Sequence, residues 1–320
     1  MENAVKYLSD EDVAKLLEPK KVVEVVEQAY KLYSLRQVVM PVRTRIQARD
    51  REGDILLMPC YLPAMNIFSL KLVTAYPKNT ARGLPTINAL VVVLDAETGV
   101  AKLVAEARAL TGLRTAAASA VSIKHLARRG FSKVGVVGCG YQAGWQVRVV
   151  GGVYPGVEFT AFDIDGGRMK SFVDSMRSEG FTVKPARSAE ELVKTSDVVI
   201  TVTTSRTPVV LDEWVREGVH ISAIGGYTPE MVEIDPKLTA KSKLVVDSRE
   251  AVMEEAGDIL EPIRLGLMTS AKIHAEIGEV VAGLRAGRED DREITIFKSV
   301  GLAVQDAAVS KALLDYLTTM

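Results

Sequence analysis

The hydrophobic positions of this chain change period twice. Near its beginning, Ser9-Asp10-Glu11-Asp12 stands ahead of Val13-Ala14-Lys15-Leu16-Leu17. That is a capping-box start and predicts a short helix. From Pro19 to about Ser34, Val22, Val25, Val26 and Ala29 recur at helical spacing, which predicts a second helix with one buried face. The period then shortens. The runs 43–47, 55–58, 68–74 and 89–94 read as strands, and Glu97-Thr98-Gly99 turns the last of them back into 100–104. Short runs joined by polar turns predict an antiparallel sheet.

A second change follows. An alanine-rich stretch from Thr111 to about Arg128 has a helical pattern, and Arg129-Gly130-Phe131-Ser132 breaks it. Five β-like runs come next, at 134–138, 157–163, 197–204, 219–224 and 243–247, separated by helix-length segments. That alternation predicts a parallel, doubly wound sheet. Beyond Glu250 the pattern reads as helical, with turns near Gly266 and Gly287 and a last helix from about Gly301 to Leu317. The predicted class is α/β: a Rossmann-type doubly wound parallel-sheet domain at 126–300, inserted into an α+β domain made of 1–125 plus 301–320.

Composition narrows the classes without naming a function. A chain of 320 residues, 48% apolar and 25% charged, suits two globular domains with ample core. The net charge of -1 directs it to neither nucleic acid nor an anionic membrane. Cys60 and Cys139 are the two cysteines and lack metal-type spacing. This predicts no disulfide framework, no metal, and a reducing, cytoplasmic setting. The segment MENAVKYLSDEDVAKLL lacks the basic and apolar regions of a secretory signal.

The run 134–138 ends at Gly138-Cys139-Gly140-Tyr141-Gln142-Ala143. In a βαβ unit the first glycine permits the tight turn, the second admits a pyrophosphate, and a small third residue lets helix and strand pack. Free N–H groups at the helix start then meet the anion. Gly138, Gly140, Tyr141, Gln142 and Ala143 are therefore candidate cofactor residues; a glycine turn with no ligand is the alternative. Asp163 closes the next β-run, where an acid holds the ribose hydroxyls and repels a 2′-phosphate. NAD is expected, with Arg168 keeping NADP open. Asp165 reads as a turn or cap residue.

Lys71 stands inside the apolar run Phe68-Ser69-Leu70-Lys71-Leu72-Val73-Thr74. By alternation Ser69, Lys71 and Val73 share one face. Either the lysine points to solvent from an edge strand, or it is a catalytic ammonium. Arg43 and Arg114 are ordinary surface charges or forks for a carboxylate. His125, His220 and His274 read as structural, with no metal-ligand spacing. Glu254, Glu255 and Asp258 read as a solvated helix end, and Glu106 as a residue able to reach a substrate pocket.

The segments MPVRTR (40–45), LLMP (56–59), KLVTAYPKNTARGLPT (71–86), LTGLRTAAASA (110–120), VGCGYQA (137–143), HISAIGG (220–226) and FKSVGLAVQD (297–306) together resemble the ornithine cyclodeaminase/mu-crystallin family. That family includes archaeal-type alanine dehydrogenases and ketimine reductases. The resemblance implies a homodimer formed through the first domain, which also binds the substrate, and an NAD(P)-binding role for the second. It implies hydride exchange at the α-carbon of a small L-amino or imino acid. The substrate carboxylate would lie near Arg43, Lys71 and Arg114, with Lys71 handling the proton. Thr204, Ser205, Ser299, Val300 and Gly301 would border the cofactor. Cyclodeaminases and archaeal alanine dehydrogenases carry an aspartate after the glycine pair at 225–226; here the residue is Tyr227. The ranking is therefore α-imino acid reduction, then alanine-type dehydrogenation, then ornithine cyclodeamination. A non-catalytic, crystallin-like binding protein and a generic Rossmann dehydrogenase are the rivals.

Overall fold

The computed structural model describes residues 4–319. Ser9 caps the first helix, Asp10–Leu16: its hydroxyl accepts the Asp12 amide and the Asp12 carboxylate accepts the Ser9 amide. Pro19 opens the second helix, Pro19–Ser34, and Val22, Val26, Ala29 and Tyr30 are buried on it. Proline suits that first position because its missing N–H has no helical partner to lose.

The strands that follow are β2 (Thr44–Ala48), β3 (Gly53–Leu62), β4 (Ile67–Ala75), β5 (Ile87–Asp95) and β6 (Ala101–Glu106), preceded in sequence by β1 (Lys6–Leu8). They form one sheet in the order β1-β6-β5-β4-β3-β2. Pairing is antiparallel from β2 to β6, and β1 joins β6 in parallel. The helix Ala303–Thr319 packs against β3, β4 and β5 of this sheet.

After the helix Arg108–Leu126 come β7 (Lys133–Val137), β8 (Glu158–Phe162), β9 (Val183–Pro185), β10 (Val198–Thr201), β11 (His220–Ala223), β12 (Lys243–Val246), β13 (Ile273–Glu276) and β14 (Thr295–Lys298). All pair in parallel, in the order β13-β12-β14-β11-β10-β7-β8-β9. Strands covered on both faces read as unbroken apolar runs; Val198, Val199 and Ile200 of β10 are all fully buried. The chain leaves β7 toward β8 and β9, then returns to place β10 on the other side. Such a reversal opens a crevice at the carboxyl ends of the strands. The α/β class and the inserted doubly wound sheet are as the sequence predicts.

Beyond Glu250 the helical expectation needs correction. Helices do cover Arg249–Glu255 and Gly257–Arg264. However, β13 and β14 lie in the same stretch, with β14 between β11 and β12. Four residues buried on both faces carry no period to distinguish strand from helix. His274 is accordingly on a strand, its ring nitrogen 2.9 Å from the Ala286 carbonyl.

By compactness the chain divides into two units: the described residues up to Arg114 with those from Leu302 onward, and Thr115–Gly301. The division falls within the helix Arg108–Leu126. Among the described residues, no helix is long and apolar enough to cross a membrane.

Gly135 lies on β7 where a Cβ would stand 2.3 Å from Leu192 Cδ2 and 2.5 Å from Ser196 Oγ. Overpacking of that kind costs about 1–3 kcal/mol. Gly135→Ala should lower the unfolding free energy measured in urea by that amount; an unchanged value would contradict so close a strand–helix contact.

Candidate active site

Lys71 does not face solvent. Its strand, β4, is interior, between β3 and β5, and Lys71 sits in the cross-strand row Met58–Lys71–Val91–Ala105. All four are buried, Lys71 to 1% exposure. A buried ammonium needs a counter-charge, because desolvation alone costs several kcal/mol. Asp306, in the first turn of the helix Ala303–Thr319, supplies it: Oδ2 is 2.6 Å from Lys71 Nζ. The other oxygen of Asp306 accepts Arg114 Nε at 3.2 Å. Gln305 braces the turn; its side-chain oxygen accepts the Leu302 amide at 2.8 Å and its side-chain nitrogen donates to the Tyr30 hydroxyl at 2.9 Å.

One carboxylate thus serves two cations. Burial pushes the Lys71 ammonium down to about 7, Asp306 opposes the shift, and Arg114 and then Arg43 add to it. Arg43 is half-buried just before β2, and its charge is felt at Lys71. The structure therefore brings the three basic residues chosen from the sequence into one electrostatic cluster. Asp306 was not a sequence candidate. Asp306 closes the family-like segment 297–306, and its local signal is an acid in a helix's first turn, a common dipole effect. Glu106 does not join the cluster: its carboxylate accepts the Tyr7 hydroxyl and the Asp10 amide, tying β6 to the first helix.

The glycine loop occupies the carboxyl end of β7. Gly138 has φ +96°, and a Cβ there would stand 3.0 Å from Thr203 Cγ2. Gly140 caps the helix Tyr141–Val153 without any side-chain cap, and nothing lies within 4 Å of where its Cβ would be. The helix start carries no side-chain cap, an arrangement suited to an anion. Ala143 is fully buried. Tyr141 is exposed, and Gln142 carries a buried amide oxygen with no hydrogen-bond partner. The Asp163 carboxylate follows β8 and accepts the Cys139 amide at 2.8 Å and the Asp165 amide at 2.9 Å. Arg168 is 3.7 Å from both Asp163 and Asp165, while Asp165 caps the helix Gly166–Ser178. These residues fit a dinucleotide: an uncapped helix start, an open glycine, an orphaned amide and an acid beyond the second strand.

The remaining cofactor candidates sit on two loops. Thr204 is exposed, and Ser205 donates from its hydroxyl to the Thr207 carbonyl at 2.6 Å. Ser299, Val300 and Gly301 are buried, and Asp247 holds all three: its Oδ2 accepts Ser299 Oγ, Val300 N and Gly301 N at 2.7–2.9 Å. Burial pushes the Asp247 carboxyl up, against the pull of these hydrogen bonds.

Two other readings meet different fates. Asp258 is no solvated helix end. It is buried, its Oδ2 lies 2.7 Å from Lys298 Nζ, and its Oδ1 accepts the Glu233 and Ile234 amides. His220 is structural, bonded to Ser122, Ser222 and Thr295. Burial, with a smaller push from Arg288, takes it down to about 3, so it stays neutral at ordinary pH.

The chain matches the model of the ornithine cyclodeaminase/mu-crystallin family over residues 1–319. It belongs to that family. An alanine dehydrogenase from Archaeoglobus fulgidus is 39% identical over 310 residues, covering 96% of this chain and 94% of the relative. Among solved structures, the Thermococcus litoralis Δ1-pyrroline-2-carboxylate reductase in complex with NADH and L-proline superimposes with a TM-score of 0.93 at 39% identity, covering 98% of this chain and 97% of that one. An archaeal alanine dehydrogenase dimer with bound NAD gives 0.92 at 38% identity, covering 98% and 96%. In this family member the loop after β11 presents Tyr227, which is exposed, beyond Gly225 and Gly226.

Removing Asp306 would strand two buried cations. Breaking a buried pair by deleting one partner costs about 3–5 kcal/mol. Asp306→Ala should lose that much stability in urea unfolding at neutral pH, and a loss below 1 kcal/mol would show that the pair carries no net weight.

Proposed function

We propose that this protein is an NAD-dependent oxidoreductase acting at the α-carbon of a small L-amino or imino acid, with reduction of an α-imino acid as its main activity. The observation that carries this reading is the Lys71–Asp306–Arg114 cluster, a buried site with two cations on one carboxylate. A substrate carboxylate supplies the second negative charge. Arg114 and Arg43 hold it, since a guanidinium fork engages both oxygens.

NAD(H), when bound, supplies or accepts the hydride at C4 of its nicotinamide. Gly138, Gly140, Tyr141, Gln142 and Ala143 hold its pyrophosphate, and Asp163 takes the ribose hydroxyls. A carboxylate there favours NAD over NADP. Thr204, Ser205, Ser299, Val300 and Gly301 border the rest. Lys71 moves the proton at the substrate nitrogen, and its lowered proton affinity suits transfer near neutral pH. Asp306 keeps the ammonium aimed and opposes its loss of charge. A cyclodeaminase reading lacks the carboxylate that Tyr227 replaces. Alanine-type dehydrogenation is the second reading, favoured by the 39% identity to the Archaeoglobus enzyme.

A homodimer, with the first unit as its interface, completes the proposal. Leu57, Leu72 and Leu90 are cross-strand neighbours on the face opposite Lys71, and Leu72 and Leu90 remain 37% and 43% exposed. Exposed apolar rows on a sheet mark association surfaces. The two cysteines are free, which suits the cytoplasm.

The substrate test is NADH oxidation with Δ1-pyrroline-2-carboxylate, against pyruvate plus ammonia, with ornithine separately. Turnover on the cyclic imine without ammonia supports the main reading; strict ammonia dependence selects the second. No turnover with either sinks both. Lys71→Ala should cut turnover by about 10²–10⁴-fold while NADH fluorescence titration shows intact binding.

The pH dependence has a definite sign. Reduction uses the Lys71 ammonium, so its kcat/KM should fall as pH rises through about 7. Oxidation of the amino acid uses the neutral amine and should rise through the same value. Asp306 raises the Lys71 pKa, so Asp306→Asn should move both inflections to lower pH. Inflections that stay put would separate Lys71 from the titration.

A further inference from the structure

One buried carboxylate in the second unit organises two loops through four donors. Glu233 is fully buried. Its Oε1 accepts Thr203 N at 2.7 Å and Thr203 Oγ1 at 2.8 Å; its Oε2 accepts Gly225 N at 2.9 Å and Gly226 N at 3.0 Å. Thr203 follows β10 and the glycine pair follows β11, so both loops lie at the carboxyl ends of adjacent strands.

The clamp is braced from its own backbone. Asp258 Oδ1 accepts the Glu233 and Ile234 amides, and Asp258 Oδ2 pairs with Lys298 Nζ at 2.7 Å. Lys298, also fully buried, donates to the Gly226 carbonyl at 2.7 Å. Contact between the loops is too close for side chains: a Cβ on Gly225 would lie 2.2 Å from the Thr203 carbonyl oxygen and 2.6 Å from Glu233 Oε1. From Thr203 the linkage continues in two directions. Its hydroxyl accepts the Ser205 amide at 3.2 Å, and its methyl abuts the position of Gly138.

A doubly wound sheet binds a dinucleotide with one half per mononucleotide. Strands β7–β9 carry the glycine loop and Asp163, the adenosine side. The loops after β10 and β11 belong to the other half, which receives the nicotinamide nucleotide.

We propose that Glu233 is a positioning residue for the nicotinamide half of the dinucleotide, fixing the spacing of the Thr203 and Gly225–Gly226 loops through its four-donor carboxylate. This rests on reading the second unit as an NAD site. Three of the four donors are backbone amides, which only oxygen lone pairs can meet, so the geometry favours the carboxylate. Burial pushes Glu233 up, Lys298 pulls it down, and Asp258 adds to the push; the lysine is the counter-charge that favours the ionised form.

The test compares two probes on the full-length chain: NADH and ADP-ribose, which lacks the nicotinamide. Glu233→Gln keeps the size but turns an NH2 toward one pair of donors. Hydrogen bonds to a charged acceptor are strong enough that Kd for NADH should rise about tenfold or more. Kd for ADP-ribose should stay within about twofold. An unchanged NADH affinity, or equal losses for both probes, overturns the proposal. Should Glu233→Gln fail to fold, Thr203→Val removes one donor and decides the matter by the same split, with equal or absent losses again overturning it. Wild-type protein that binds neither probe would instead overturn the NAD reading itself.

Discussion

The pair formed by Lys71 and Asp306 is the constraint on which the first unit depends. An ammonium inside a sheet is untenable without a counter-charge. The carboxylate that meets it comes from the far end of the sequence, so the helix Ala303–Thr319 must begin against β4 with its first turn facing Lys71. Arg114 shares the same carboxylate. The result is a buried cluster in which two basic side chains share one carboxylate. Desolvation holds Lys71 near a neutral pKa, where a proton can move either way. Charge pairing and proton affinity thus follow from one burial event.

The second unit uses carboxylates for another purpose. Asp247 gathers the amides of Val300 and Gly301, Glu233 those of Thr203, Gly225 and Gly226, and Asp258 those of Glu233 and Ile234. Asp247 and Glu233 gather amides just beyond strand ends, Asp258 amides in the segment between β11 and β12. A buried charge costs several kcal/mol, and hydrogen bonds to charged groups return about 1.5–3 kcal/mol each. Two or more bonds per carboxylate make such an arrangement sustainable. Loops held in this way present fixed backbone to a ligand without relying on regular structure. The glycine loop differs: no side chain caps the helix that follows it.

The substrate question turns on a loop held by that second network. Tyr227 follows Gly226, whose carbonyl and amide are tied to Lys298 and Glu233. A phenol carries no charge at neutral pH, so Tyr227 brings to that loop neither the charge nor the basicity of a carboxylate.

Local chemistry was legible in the sequence. Capping at Ser9, the proline start at Pro19, the glycine turn at Gly138 and the acid at Asp163 each depend on residues within one turn or one βαβ unit, so their spacing alone determined them. The alternation of β4 also identified which residues share a face with Lys71. Which face is buried was another matter. The side bearing Ser69 and Lys71 is inside, and the side bearing Leu70 and Leu72 is more open, the reverse of what polarity suggests. Only the packing of a distant helix decides that, because Asp306 makes burial of the lysine tolerable. Asp258, Glu233 and Lys298 stayed hidden for the same reason: their partners lie on other loops, and no local period records them. Strands β13 and β14 were too short and too deeply buried to show alternation. The sequence determined the elements and the chemistry available to them; tertiary structure decided which charges share a low-dielectric interior, since a side chain's environment is set by neighbours that only folding brings close.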